Sequence, residues 1–219
     1  MERPRPGPAA GGPDYDAAMS GGNQAYELGL RSVGRDVVIW PRAHIVGAEH
    51  IAFGDSVIVD DFVFMMAGAR HDFGSFVHLA TGVSIVGGGE LSAGDFVGIS
   101  GGTRVYTGND DYLGGSLTGP TIPPAFRTVE RSSVRFGRHA IIGANSVVLP
   151  GVEIGEGAAV GALSLVNRDL EPWTVYVGQP ARAVRERPRA RIDELEAELR
   201  AALYDAEGRY IPAAARPTG

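Results

Sequence analysis

Residues 53–70 and 73–90 read FGDSVI-VDDFVF-MMAGAR and FGSFVH-LATGVS-IVGGGE, and these two stretches decide the fold. Each consists of three six-residue units, and nearly every unit opens with an aliphatic or aromatic residue. Glycine follows at the second position of the first unit, and two further residues complete the set, so the pattern returns every 20 residues. A fixed period of this length predicts a protein built from stacked repeats.

The same unit can be followed over roughly residues 33 to 171, in eighteen copies arranged as six sets of three. The first and fifth residues of a unit point the same way along an extended chain, while Gly, Asp, Asn and Pro between them turn it. Three strands and three turns per coil make a triangular prism, whose core is continuous only when coils stack. We therefore predict an all-β protein, a parallel β-helix of about six coils. The second-position glycines are Gly34, Gly54, Gly74, Gly94, Gly137 and Gly155.

Composition excludes several classes of function. The net charge of −6 and the pI near 5.4 argue against a general nucleic-acid binder. The chain has no run of about 18 apolar residues, which would predict a membrane span. It has no cysteine, which excludes disulfides and cysteine metal sites, and its N-terminus lacks a secretion-signal pattern. We expect a cytoplasmic protein.

Both ends of the chain differ from the repeats. Residues 1–22 are rich in Pro, Gly and Ala, which predicts a disordered tail. Residues 23–182 form the predicted β-helix domain, and residues 183–219 a C-terminal helix and tail. We expect the helix, starting near Arg189, to pack on the prism or on a neighbouring subunit. Its apolar residues at helical spacing are Ile192, Leu195, Leu199 and Leu203.

The sixth residue of each unit points outward, so the three walls can be compared. The sixth residues of the third units, such as Arg70, Glu90 and Glu153, are mostly charged, so the third wall is predicted to face solvent. The sixth residues of the second units are a mixture of polar and apolar types. The sixth residues of the first units are apolar apart from His78, and an outward apolar column is rarely left in water. We expect another copy of the chain to cover this first wall, as in cyclic homo-oligomers. The first-wall column is Val38, Ile58, His78, Gly98, Ile141 and Ala159.

The six-residue pattern resembles the left-handed parallel β-helix of hexapeptide-repeat acyltransferases. Residues 141–187, IIGANSVVLPGVEIGEGAAVGALSLVNRDLEPWTVYVGQPARAVRER, are similar to members that use acetyl-CoA, and VGQPAR matches their usual exit from the helix. The resemblance implies a homotrimer that binds acetyl-CoA along a prism edge between two subunits, without a metal. It assigns the pantetheine arm to small residues and the CoA phosphates to arginines. These are Gly143, Ala144, Gly161 and Ala162, and Arg168, Arg182 and Arg185.

The repeat stops at VYTGNDDYLGGSLTGPTIPPAFRT, residues 105–128. We interpret residues 109–135 as a loop extruded from a corner, since long loops in compact domains are usually functional or disordered. Galactoside- and xenobiotic-type members carry their catalytic histidine early in this loop, where this chain reads Asn-Asp-Asp. The stretch instead resembles a branch of sugar O-/N-acetyltransferases of surface-polysaccharide and nucleotide-sugar biosynthesis. In that branch the sugar would be bound by Asn109, Asp110, Asp111 and Tyr112.

The predicted general base is His78, because imidazole titrates near neutrality and an apolar column around it would keep it neutral. The alternative is a histidine that only fills an interface, with a loop carboxylate as the base. Asp110 and Asp111 also have a structural interpretation, as a turn that caps the start of the loop. His71, in a corner insertion beside Asp72, is a second candidate for contact with the substrate.

We therefore expect an acetyl-CoA-dependent acetyltransferase that acts on a nucleotide-linked amino sugar or on a glycan hydroxyl, without a covalent acyl-enzyme. The pattern leaves open which sugar is used, whether N or O is acetylated, and how long the acyl chain is. Two rival interpretations remain. A noncatalytic β-helix scaffold would not bind acetyl-CoA specifically. A γ-type carbonic anhydrase needs histidines one coil apart, which the column neighbours of His78 do not supply.

Overall fold

The computed structural model describes residues 23–212, and over this range the chain winds into a parallel β-helix with three walls. The first wall contains β2 (Val38–Ile39), β5 (Ile58–Val59), β8 (His78–Leu79), β11 (Gly98–Ile99), β16 (Ile141–Ile142), β19 (Ala159–Val160), β21 (Thr174–Val177) and β22 (Arg182–Glu186). The second wall contains β3 (His44–Val46), β6 (Phe64–Met66), β9 (Ser84–Val86), β12 (Arg104–Tyr106), β17 (Val147–Val148) and β20 (Leu165–Val166). The third wall contains β1 (Ser32–Val33), β4 (Ile51–Phe53), β7 (His71–Phe73), β10 (Leu91–Ala93), β15 (Val134–Phe136) and β18 (Glu153–Ile154). Six complete coils result, as predicted, and β21 begins a seventh.

Strands of one wall pair in parallel with the strands one coil away. On the first wall the register aligns Ile58, His78 and Gly98, which confirms the predicted outward column. Gly98 then pairs with Ile141. These two residues are more than 40 apart in the sequence instead of the usual 20, because the interruption lies between them. The prism therefore continues through the interruption without a change of register.

The interior is filled by the first and fifth residues of the units. Each strand contributes only one or two inward side chains, so a single coil cannot bury its own core and the prism is stabilised by stacking. The large side chains that are fully buried include Ile39, Ile51, Met65, Leu79, Ile85, Ile99, Ile142 and Ile154.

The third corner, between the third and first walls, explains the second-position glycines. A Cβ on Gly34 would lie 2.4 Å from the carbonyl oxygen of Gly54 in the next coil. Two residues after the glycine the chain is left-handed, with φ of 55° at Ser56 and 59° at Phe76. Coils meet here backbone against backbone, which only glycine permits.

The two residues that complete each 20-residue set begin the third-wall strands, which corrects their interpretation as corner insertions. Ile51, His71 and Leu91 stand in one inward column. In these coils the outward residues of the wall therefore lie two residues later in the sequence than predicted: Asp72 and Ser92 point outward in place of Arg70 and Glu90. The wall is polar on its outer face, and its paired outward residues are Ala52, Asp72, Ser92, Arg135 and Glu153.

The interruption forms an antiparallel hairpin outside the prism. Its stem is β13 (Gly108–Asp110) paired with β14 (Val129–Arg131), and a 3-10 helix, Pro124–Phe126, lies in the connection. The extruded segment ends at residue 133 rather than 135, because Val134–Phe136 already pairs with β10 of the third wall. The hairpin leaves the prism at the second corner, between the second and third walls.

The repeats end in a second hairpin rather than at residue 182. β22 pairs antiparallel with β21, so residues 183–186 extend the first wall instead of belonging to the helical tail. The helix α1, Ala190–Leu203, follows, and no helix within residues 23–212 is long and apolar enough to cross a membrane. The predicted N-terminal tail and the end of the C-terminal tail lie outside the described residues.

The helix docks on the third corner of its own prism around a buried carboxylate, and of the predicted apolar residues Ile192, Leu199 and Leu203 are half-buried there while Leu195 is exposed. Glu196 is buried, whereas Leu195 is 46% exposed. Glu196 accepts hydrogen bonds from Arg138 at 2.6 Å, from His139 at 2.5 Å and from Arg200 at 2.7 Å. Burial alone would raise the pKa of Glu196, but these hydrogen bonds outweigh burial and lower it.

At the N-terminal end of the prism no coil precedes the first coil within the described residues, and side-chain amides bond to its backbone instead. Asn23 Oδ1 accepts the backbone N–H of Ile39 at 3.0 Å, and Asn23 Nδ2 donates to the carbonyl of Val37 at 2.8 Å. Gln24 Nε2 donates to the carbonyl of Trp40 at 2.9 Å. These amides satisfy backbone groups that an unpaired strand edge would expose.

Candidate active site

A cavity of about 560 Å³ opens on the extruded hairpin. The four residues predicted to bind a sugar all line it, so the structure brings them together in one concave site. Four further residues complete the wall of the cavity. The full lining is Asn109, Asp110, Asp111, Tyr112, Leu113, Gly115, Thr128 and Glu130.

Thr128 and Glu130 come from the returning strand, which the sequence analysis missed. Glu130 pairs with Asn109 across the stem, and strand alternation places residues 128 and 130 on the same side. The signal that could have found them is the return of an alternating stretch after the prolines, which indicates a hairpin. With Asp110 and Asp111, Glu130 gives the cavity three carboxylates.

The two adjacent aspartates of this cavity differ in what they bind. Asp111 Oδ1 accepts the backbone N–H of Leu113 at 2.8 Å, and this bond and other N–H groups of residues 114–116 hold the pKa of Asp111 below its usual value. Asp111 thus makes the contacts expected of a residue that caps the turn at the start of the loop. Asp110 Oδ2 accepts only the N–H of Gly119, at 3.2 Å, and Oδ1 has no hydrogen-bond partner within the described residues. Asp110 is therefore the more available carboxylate.

His78 opens β8 on the outer face of the first wall and does not line the hairpin cavity. Its side chain is 52% exposed in the single chain, so the burial expected from its column would need a covering partner. Ring nitrogen Nε2 lies 3.1 Å from Oδ2 of Asp60, in the preceding coil. This neighbour could not be predicted from the sequence, because Asp60 occupies a turn position where aspartate is common.

His71 is not a substrate contact in this structure, which corrects the prediction. Its side chain is fully buried inside the prism between Ile51 and Leu91, and Nε2 lies 3.2 Å from the carbonyl oxygen of Gly89. Burial lowers the pKa of His71. Within residues 23–212 no three His, Cys, Asp or Glu side chains are grouped so that they could hold a metal ion.

The four small residues predicted to contact pantetheine lie at the first corner, between the first and second walls. A Cβ on Gly143 would lie 2.3 Å from the backbone nitrogen of Ala162, so stacking alone requires glycine there. Ala144 accepts the N–H of Leu163 at 2.9 Å. Gly161 is likewise confined, since its Cβ would lie 2.8 Å from Val177. The glycines are explained by packing, and the alanines keep this edge thin.

Two of the three predicted phosphate-binding arginines share a recess. Arg168 and Arg182 line a cavity of about 250 Å³ near the C-terminal end of the prism, with Asp169 and Tyr176. Arg185 lies on β22 and does not line it. Over residues 23–212 none of these three arginines makes an ion pair with an acidic side chain.

The predicted site is divided over one chain. The hairpin cavity lies at the second corner, whereas the small residues lie at the first corner and His78 on the first wall beside it. The second wall separates the two parts. In a single chain the predicted site would therefore consist of two half-sites that face different directions.

Residues 133–168 match the family described as bacterial transferase hexapeptide (six repeats). Together with the six-residue coils and the relatives below, this match defines the class. The chain belongs to the hexapeptide-repeat acyltransferases, which share a left-handed β-helix, and it is an acyl-CoA-dependent acyltransferase.

Similar proteins cover most of the chain. It is 38% identical over 174 residues, 79% of this chain and 90% of the relative, to dTDP-4-amino-4,6-dideoxy-D-glucose acyltransferase of Escherichia coli. AntD, an N-acyltransferase of Bacillus cereus crystallised with dTDP and 3-hydroxybutyryl-CoA, is 40% identical with a TM-score of 0.75, over 79% of this chain and 91% of AntD. The hexapeptide-repeat acetyltransferase VCA0836 of Vibrio cholerae, complexed with acetyl-CoA, has the same fold, with 22% identity and a TM-score of 0.53 over 81% of this chain and 80% of VCA0836.

Proposed function

We propose that this acyltransferase acetylates the amino group of a nucleotide-linked amino sugar, with acetyl-CoA as co-substrate. The observation that carries the proposal is the hairpin cavity, in which Asp110, Asp111 and Glu130 converge. Carboxylates accept hydrogen bonds from an amino group and favour its cation, whereas they repel a diphosphate. The cavity therefore fits the amino-sugar end of the acceptor. The relatives from E. coli and B. cereus, named for a dTDP-linked amino sugar or crystallised with dTDP, support this assignment.

His78 is the proposed general base. As the amine attacks the thioester carbonyl, a C–N bond forms and the C–S bond breaks with its electron pair left on sulfur. His78 takes the proton that the nitrogen loses and returns a proton to the leaving thiolate, so the reaction is balanced. Backbone N–H groups at the first corner are the proposed donors to the oxyanion.

Asp110 is the alternative base, and a specific observation favours it. AntD was crystallised as variants at one serine and at an aspartate ten residues further along, each with dTDP and CoA. Ser100 and Asp110 form the one serine–aspartate pair of this chain with that spacing. The available Oδ1 of Asp110 suits either proton transfer or binding of the amine.

The donor half-site is proposed along the first corner. Ala144 and Ala162 leave the backbone accessible to a thin pantetheine arm, while Gly143 and Gly161 are present for packing as well. Arg168, Arg182 and Arg185, which lack ion pairs within the described residues, are the proposed contacts of the CoA phosphates, where arginine provides paired donors.

We place the two half-sites of one reaction in neighbouring subunits of a homotrimer. Several large apolar side chains are exposed around the first wall and first corner of the single chain, including Ile141 at 43%, Phe62 at 63% and Leu163 at 61%. Covering them with another subunit would also bring a hairpin to His78. The cytoplasm is the proposed location, since acyl-CoA and nucleotide sugars are the substrates.

The test is mass spectrometry of nucleotide-linked amino sugars and of their hydroxyl analogues after incubation with acetyl-CoA and the protein. We expect acetylation of the amino sugar only. His78→Asn should lower kcat by about 10²-fold with little change in the KM for acetyl-CoA. Should His78→Asn keep most activity while Asp110→Asn loses it, the carboxylate is the base. Acetylation of the hydroxyl analogue alone would refute the proposed acceptor.

A further inference from the structure

We propose that Asp60 is a positioning residue that holds the ring of His78 and leaves its Nδ1 as the proton-accepting atom. This inference rests on the proposed function, in which His78 is the base. Asp60 directly follows β5, and His78 opens β8, the strand paired with β5 through Ile58–His78 and Val59–Leu79. The pairing brings Oδ2 of Asp60 to 3.1 Å from Nε2 of His78.

Asp60 is itself fixed in place by the coil that carries His78. Its backbone N–H donates to the carbonyl of Leu79 at 2.9 Å, and its Oδ2 accepts the backbone N–H of Thr81 at 3.2 Å. Thr81 Oγ1 donates in turn to the carbonyl of Asp61 at 2.8 Å. A carboxylate bound at both its backbone and its side chain gives the imidazole a rigid partner, which an ordinary surface ion pair does not.

The chemistry of the pair assigns the two ring nitrogens. A carboxylate can only accept hydrogen bonds, so in a neutral imidazole Nε2 carries the hydrogen and donates it to Asp60. Nδ1 then holds the lone pair and has no hydrogen-bond partner within the described residues. When Nδ1 takes the proton from the attacking amine, the carboxylate lies beside the cation that forms.

The location favours a role in the reaction over a role in stability. The side chains of His78 and Asp60 are 52% and 30% exposed, and an ion pair at that exposure adds little to folding. A recess of about 320 Å³, lined by Trp40, Asp60, Asp61 and Thr81, opens beside the pair. The pair lies next to the first corner, where the donor half-site is proposed.

The matched variants are Asp60→Ala, Asp60→Asn and Asp61→Asn. Asp61 is the control because its Oδ1 accepts the backbone N–H of Arg42 at 2.9 Å in the same recess, without contact to His78. We expect Asp60→Ala to lower kcat on the order of 10-fold, since it removes part of a general-base effect, with both KM values unchanged. Asp61→Asn should stay within about twofold of wild type. An Asp60→Ala enzyme with wild-type kcat, or equal losses in the two positions, would overturn the proposal.

A double-mutant cycle shows whether Asp60 acts through His78. If it does, adding Asp60→Ala to His78→Asn should cause no further loss, whereas independent roles would multiply. Proton NMR without any substrate gives a second readout: the Nε2–H signal of His78, hydrogen-bonded in wild type and in Asp60→Asn, should disappear in Asp60→Ala. If that signal is unchanged, the positioning role is wrong whatever the acceptor proves to be. If it disappears but no sugar is acetylated, the fault lies in the proposed function.

Discussion

At the scale of single residues, His71 is an imidazole that is fully buried inside the prism. His71 stands between Ile51 and Leu91, and its Nδ1 has no hydrogen-bond partner within the described residues. Since burial lowers the pKa of His71, the folded chain binds this proton only below the pH at which the unfolded chain takes it up. Stability is then lost as the pH falls below the ordinary histidine value of about 6.5.

Replacing this residue should therefore change how stability depends on pH. At pH 8 we expect His71→Leu to be within about 1 kcal/mol of wild type, since it loses a hydrogen bond to Gly89 but also an unpaired buried nitrogen. At pH 5 the variant should have gained stability relative to wild type. Urea unfolding at both values of pH, at one protein concentration, measures the difference. If both proteins lose the same free energy of unfolding between pH 8 and pH 5, His71 is not the group responsible.

At the scale of elements, the extruded hairpin is a module that the prism does not need. Its stem pairs only with itself, Asn109 with Glu130 and Asp110 with Val129. Third-wall pairing meanwhile passes directly from β10 to β15, so coils on both sides stack without the hairpin. The segment that interrupts the repeat is thus free to carry binding residues, which a coil position under packing constraints is not.

Shortening the hairpin should separate binding of the donor from turnover. With residues 113–127 replaced by two glycines, we expect the oligomer and the affinity for CoA to be kept, because coils stack locally. Acceptor turnover should fall by about 10²-fold or more, because the acceptor is no longer positioned. Light scattering, calorimetric titration with CoA and the acetylation assay measure the three properties. Loss of CoA binding would instead show that the hairpin supports the donor half-site.

At the scale of the whole molecule, the first wall is the surface where we expect assembly and activity to be linked. Its outward column is apolar on both sides of His78, with Ile58 and Gly98 as neighbours, and Ile141 follows in the next coil. A charged residue in this column would have to be buried without a partner if another subunit covers it. The same contact would bring one subunit's hairpin toward another subunit's first corner.

We therefore expect Ile141→Glu to abolish both the trimer and the activity while each chain stays folded. Ile141 is 43% exposed in the single chain, so the substitution costs little within it. Leu195→Glu on α1, at a residue of similar exposure outside the column, is the control and should remain trimeric and active. Multi-angle light scattering and the acetylation assay decide; an active monomer of either wild type or variant would contradict the shared site.

The sequence predicted most of the prism because packing imposes it residue by residue. Position one must fill the core and position two must clear the next backbone, as Gly34 does, so both leave a period in the sequence. The prediction for His71 is wrong because it treats residues 71 and 72 as a corner insertion, whereas His71 aligns with Ile51 and Leu91 at the 20-residue period. On the helix, burial of Glu196 could not be predicted from the apolar spacing, because its partners Arg138 and His139 come from a coil distant in sequence.

The candidate site was less predictable than the fold. Asn109 to Tyr112 could be found because they follow the point where the period fails. Glu130 lies on the returning strand and depends on the pairing of the hairpin, and Asp60 depends on the register between two coils. Contacts that exist only across strands leave no local pattern, so a single sequence does not reveal them.

The amides of Asn23 and Gln24 affect how copies of this protein can contact one another. If the edge strands at the end of the β-helix were unpaired, they could pair with the edge strands of another molecule, and repetition of that contact would form a fibre. Here the first-wall part of that edge is occupied: Ile39 and Val37 bond to Asn23, and Trp40 to Gln24. At the opposite end β22 runs against its neighbour, so the parallel order is not handed on. On the first wall, amide caps at one end and an antiparallel strand at the other thus disfavour growth of the parallel stack along the prism axis.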